Sequence, residues 1–155
     1  MSDPARMSAS DPHDLGRFVE AQAPVIDRVR AELQAGAKRS HWMWFVFPQI
    51  HGLGFSAMAE RYAISGLDEA VAYLAHPVLG PRLRECVRLV LAAPGRSATA
   101  ILGTPDDRKL QSSVTLFDIA SSGEAIFGQA LDRFFGGLPD QATLNRLRPR
   151  TAPRP

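Results

Sequence analysis

The stretch Lys38-Arg-Ser-His-Trp42-Met-Trp44-Phe-Val-Phe-Pro48-Gln49 decides how the chain is read, because it is the one place where helix and strand compete. Trp42 to Phe47 are six consecutive apolar residues, and such a run is either a strand buried on both faces or a short helix buried all round. A strand needs a partner, and no other two segments alternate apolar and polar residues as paired strands do. The run therefore reads as a buried helix, capped by Ser40 and stopped before Pro48. With that choice the whole chain becomes helical.

The flanking sequence supports it. Four positions pair a capping residue with an acid three residues later, a device that satisfies free amides and suits the positive end of a helix: Asp11 with Asp14, Ser65 with Asp68, Thr104 with Asp107, Ser121 with Glu124. Pro12 and Pro105 stand at first helical positions. Leu15, Phe18 and Val19 open a helix that Pro24 interrupts, and Ile26, Val29 and Leu33 continue it to Gly36. Leu67, Val71 and Leu74 form a short stripe ending near His76-Pro77. Leu83, Cys86, Val87, Val90 and Leu91 form the fullest one, with Arg84 and Arg88 on the opposite face and a stop at Pro94-Gly95. Leu110, Val114 and Phe117, then Ile126, Phe127, Ala130, Leu131, Phe134 and Phe135, mark two more helices, and Leu144 with Leu147 a last short one. The expected architecture is a single all-α domain of about seven or eight helices over residues 13–147. Residues 1–12 read as a flexible leader and 148–155 as a disordered Arg/Pro tail.

Composition agrees with a globular domain. The 155 residues are 45% hydrophobic and 22% charged, enough for one core without staples. Cys86 is the only cysteine, which excludes an intramolecular disulfide and a multi-thiolate zinc cluster and suits a reducing, cytoplasmic setting. The longest apolar run is far short of the ~20 residues of a membrane span. The pI of about 9.1 suggests nucleic acid until the charge is divided. Residues 1–140 hold all 16 acids against 14 bases, a balance of −2, and Arg146, Arg148, Arg150 and Arg154 supply the rest. The basicity belongs to the tail, and nucleic acid ranks last among partners.

Chemistry is sparse. G-x-S-x-G, P-loop, H-E-x-x-H and C-x-x-C patterns are absent, and His13, His41, His51 and His76 are dispersed, so neither metal nor cofactor is expected. Both tryptophans fall in the 38–49 segment, between basic groups and a polar end. One reading makes it the central core helix, with Trp42 and Trp44 filling volume. The other lets Lys38, Arg39, His41 and Gln49 fringe an aromatic pocket for a small, flat, anionic ligand. Gly52-Leu-Gly54-Phe-Ser56-Ala57 matches the dinucleotide fingerprint in letters only, since that fingerprint works inside a βαβ unit. It is either a flexible connector or a turn into a Ser56-capped helix that offers amides to an anion, with Arg61 and Tyr62 one to two turns on. Asp106 and Asp107 are explained as helix-start charges, and Lys109, Ser112 and Ser113 are on a helix that could line a pocket.

Lys38 to Ile64, Tyr73-Leu-Ala-His76-Pro-Val-Leu-Gly80-Pro-Arg82-Leu83 and Asp106-Asp-Arg-Lys109-Leu-Gln-Ser112-Ser113-Val-Thr-Leu-Phe117 together resemble the bacterial domain-of-unknown-function family numbered 1810. Phe18-Val-Glu-Ala-Gln22 and the stretch from Phe134 to Leu144 extend the resemblance over about residues 13–147. It implies an all-helical, right-handed superhelical bundle and assigns no catalytic residue. Some members carry the label calpastatin, but nothing here is similar to that inhibitor's disordered repeats. The acid before Ala21-Gln22 is loosely similar to helical ADP-ribose-processing families, which puts nucleotides first among metabolites to test.

The reading that results is a small-molecule protein, monomer or homodimer, binding a nucleotide or another anionic metabolite through Lys38, Arg39, His41, Trp42, Trp44, Gln49, Arg61 and Tyr62. An enzyme would use Glu20 or His41 as general base. The alternative is a protein–protein interaction module in which the tryptophan segment is purely structural.

Overall fold

The computed structural model describes residues 11–93 and 95–148, so the expected leader, most of the tail and Pro94 lie largely or wholly outside the described residues. Among the described residues ten helices follow one another: α1 (Gly16–Gln22), α2 (Ile26–Ala35), α3 (Met43–Val46), α4 (Ala57–Arg61), α5 (Leu67–Ala75), α6 (Leu79–Ala92), α7 (Ala98–Leu102), α8 (Asp106–Ala120), α9 (Ala125–Phe135) and α10 (Gln141–Leu147). Seven of them run two turns or more, as the sequence stripes require; α3, α4 and α7 are single turns. Among the described residues there is no strand, only a parallel bridge between Ile50 and Ile64 that closes the loop between them. No described helix is long and apolar enough to cross a membrane.

The central helix is α8. It packs against α5, α7, α9 and α10, and its residues 112 to 117 are all buried. Its sequence hides this, because three of those residues carry hydroxyls. Two of them need no outside partner: Ser112 Oγ donates to the Arg108 carbonyl at 3.2 Å and Thr115 Oγ1 to that of Gln111 at 2.8 Å. Ser113 is wholly buried, and its hydroxyl has no partner among the described residues. A chain of rings, Tyr62, Phe18, Tyr73, Phe117 and Phe127, runs through the core at centroid spacings of 5.1–6.2 Å.

The capping expectations divide. Asp11 accepts from the amides of Leu15 and Gly16 at 2.7 and 2.8 Å, Ser56 from Ala59 at 3.1 Å and Ser121 from Glu124 at 2.9 Å. Ser65 does not cap. Its amide and hydroxyl donate to Glu69 Oε1 at 2.9 and 2.8 Å, because that buried carboxylate also receives Arg17 and is the stronger acceptor. Thr104 likewise donates its hydroxyl, to Asp107. Gly80 permits the tight step from α5 to α6, since a Cβ there would lie 2.2 Å from the Leu74 carbonyl oxygen. His76 ends α5, and its Nδ1 accepts from the amides of Val78 and Leu79, which leaves the proton of the neutral ring on Nε2.

Candidate functional site

The tryptophan segment is not a helix from Ser40 but a non-helical arm, 38–42, followed by the single turn α3. Ser40 caps nothing. It is drawn instead to Glu32 on α2, whose carboxylate accepts from Ser40 Oγ (2.5 Å), the amides of Arg39 (2.8 Å) and Ser40 (3.1 Å), and Trp42 Nε1 (2.9 Å). Burial pulls the Glu32 carboxyl upward, but these donors outweigh it and hold the group down at about 2. Trp42 is 1% exposed. The arm is therefore anchored by a charge-assisted fan of hydrogen bonds, and its tryptophan is core.

The basic residues of the segment separate. Lys38 is turned inward, with Nζ 2.9 Å from Asp106 Oδ2 and 5.1 Å from the Trp42 ring. Arg39 and His41 are exposed. Arg61 directs Nε to the Tyr62 hydroxyl at 3.2 Å, and Tyr62 is buried against Phe18 and Phe45. These side chains do not meet in one cavity.

A cleft of about 430 Å³ opens where the chain leaves α3. Gln49, Leu53, Gly54, Phe55, Ser56 and Ala59 form one side, Pro105, Arg108, Lys109 and Ser112 of α8 the other, and Asp140 and Ala142 close an end. Of the eight residues singled out in the sequence, Gln49 lines it and the other seven do not. Two of them stand behind it through Lys109: that Nζ is 5.5 Å from the Trp44 ring and 3.6 Å from Asp106 Oδ1, the carboxylate Lys38 already holds. Arg108 is exposed, and its guanidinium makes no hydrogen bond or ion pair among the described residues. Asp140 is committed elsewhere, accepting from the amide and hydroxyl of Thr143 at 2.9 and 2.6 Å. The helix carrying Lys109 and Ser112 does reach a pocket, whereas Ser113 points away from it into the core.

Glu20 lines a different, larger cleft with His13 and His76, between the N-terminal turn and the end of α5. Among the described residues no group of three or more His, Cys, Asp or Glu is placed to hold a metal.

These features define an all-helical single-domain protein with a basic cleft beside its tryptophan segment. The chain belongs to the family described as "Protein of unknown function (DUF1810)", whose model matches residues 12–147. Its fold is similar to the crystal structure of the conserved hypothetical protein Rv1873 from Mycobacterium tuberculosis, with a TM-score of 0.87 and 55% identity over 88% of this chain and 98% of that one. No curated protein matches it.

Proposed function

We propose that the protein binds a small anionic metabolite in the cleft between the 49–59 loop and α8. The observation that carries this is the pair Arg108 and Lys109: one guanidinium without a partner among the described residues, and one ammonium loosely held by a carboxylate that Lys38 already engages. Two cations on adjacent residues, facing a cleft of about 430 Å³ with Gln49 and Ser56 as hydrogen-bonding groups, suit a small anion. The position of Lys109 over Trp44 supplies the readout. An anion that draws Lys109 off the ring changes the emission of Trp44 and leaves buried Trp42 as a constant background.

The test is a fluorescence and thermal-shift screen with inorganic phosphate, di- and tricarboxylates, sugar phosphates and nucleoside phosphates. A saturable response that disappears in Trp44→Phe and weakens in Arg108→Gln supports the reading. A screen in which no anion moves either the emission or the melting temperature sinks it. Glu20 and His41 gain no catalytic support, since neither lines this cleft.

A further inference from the structure

The cations account for only one wall of the cleft. The facing wall carries the apolar side chains of Leu53 and Phe55, and Phe55 is 83% exposed, the most exposed large hydrophobic residue among those described. Phe55 also lines a second cavity of about 270 Å³, with His51, Gly52, Ala59 and Glu60. The ring thus borders both cavities and is not packed into the core.

The loop that carries it is held firmly at its base. Ile64 donates its amide to the Gln49 carbonyl at 2.8 Å, and His51 donates to the Ile64 carbonyl at 2.9 Å. Gly52 lies beneath Arg146 of α10, where a Cβ would come within 2.3 Å of the guanidinium. A tight base and an uncovered tip leave Phe55 free to move against something entering the cleft, and an aromatic face pairs best with another ring. Opposite it, Arg108 offers a planar fork of donors that fits a phosphate-type oxyanion, and Lys109 adds a second positive charge.

Building on the anion-binding reading, we infer that the ligand is a small aromatic ring bearing a phosphate-type group, its ring stacked on Phe55 and its anion held by Arg108 and Lys109. A free small molecule is the form that fits, because residues 1–140 carry a net −2, whereas a polyanion is held by an excess of positive charge.

The experiment titrates inorganic phosphate, glycerol phosphate, phenyl phosphate and adenosine monophosphate into the wild type and into Phe55→Ala, Phe55→Leu and Arg108→Gln, reading Trp44 emission. Circular dichroism and melting check each variant's fold, which an exposed side chain should not disturb. The two aromatic phosphates should bind about tenfold tighter than glycerol phosphate, the gain expected of one stacked ring. Phe55→Ala and Phe55→Leu should erase that difference without weakening glycerol phosphate, and Arg108→Gln should weaken every phosphate. Equal binding of aromatic and aliphatic phosphates, or full retention of the difference in Phe55→Leu, overturns the ring assignment while leaving anion binding intact. Binding of carboxylates alone overturns the phosphate assignment, and binding of no anion at all removes both readings. A single-stranded oligonucleotide binding more tightly than the mononucleotide overturns the free-ligand form.

Discussion

Trp42 and Trp44 are two residues apart and occupy opposite situations. Trp42 is closed off at 1% exposure, its indole N–H spent on Glu32 and its ring beneath Lys38. Trp44 is half-buried, its ring beneath Lys109, and Lys109 lines the cleft. Each ring lies beneath a lysine, and the two lysines share one carboxylate, Asp106, at 2.9 and 3.6 Å. The unequal distances set the two halves apart: the close pair belongs to the anchor, and the loose one is the cation that the proposed anion site would use. An aromatic-basic segment is thus closely anchored in one half and loosely held in the other, and the partner of each cation decides which half is which.

The sharpest way to break this contrast is to remove the anchor. Glu32→Ala leaves the Trp42 indole and two backbone amides without their acceptor, and should cost about 2–4 kcal/mol in urea unfolding, since orphaned buried donors forfeit their full desolvation penalty. Acid reaches the same carboxylate without mutation. Because its folded value of about 2 lies below the ordinary 4.5, its contribution is complete above pH 4.5 and is lost as pH falls toward 2. Glu32→Gln should flatten that part of the stability profile, and an unchanged acid limb would show that the fan does not hold the arm.

The paired test substitutes each tryptophan by phenylalanine. Trp42→Phe opens a gap in packed core and frees one of Glu32's bonds, so about 2 kcal/mol should be lost, whereas Trp44→Phe should cost under about 1 kcal/mol. Equal losses would erase the distinction between the two halves. The smallest effect expected is of opposite sign. Ser113→Ala removes a buried hydroxyl without a described partner, and should raise stability by about 0.5–1 kcal/mol in the same assay.

The helical stripes were legible because each is a local pattern. Leu83, Cys86, Val87 and Val90 are all buried on α6, as their 3.6-residue spacing requires, and Leu91 packs at the edge of the core. The centre of the molecule was not legible in the same way. Six apolar residues at 42–47 advertise burial, but the longest run buried without a break is residues 112–117 of α8, whose hydroxyls mask it by bonding their own preceding turn. Ser40 looked like a cap because its type and position fit one, and it lost that role to a carboxylate on another helix. The cleft is half visible in the sequence: Gln49, Ser56, Lys109 and Ser112 each stand out locally, while Phe55 and Arg108 carry no local signal that sets them apart.

By itself, then, the sequence determined the helical class, the absence of paired strands, most helix starts and membership of the family, because periodicity, capping and motif are properties of neighbouring residues. Which lysine is held closely and which loosely was decided only by the tertiary structure. Lys38 and Lys109 are both lysines beside a tryptophan, and the difference between them is one carboxylate that the fold places 2.9 Å from the first and 3.6 Å from the second. Coulomb attraction and hydrogen-bond geometry act on such distances, and the chain sets them only once helices remote in sequence have packed.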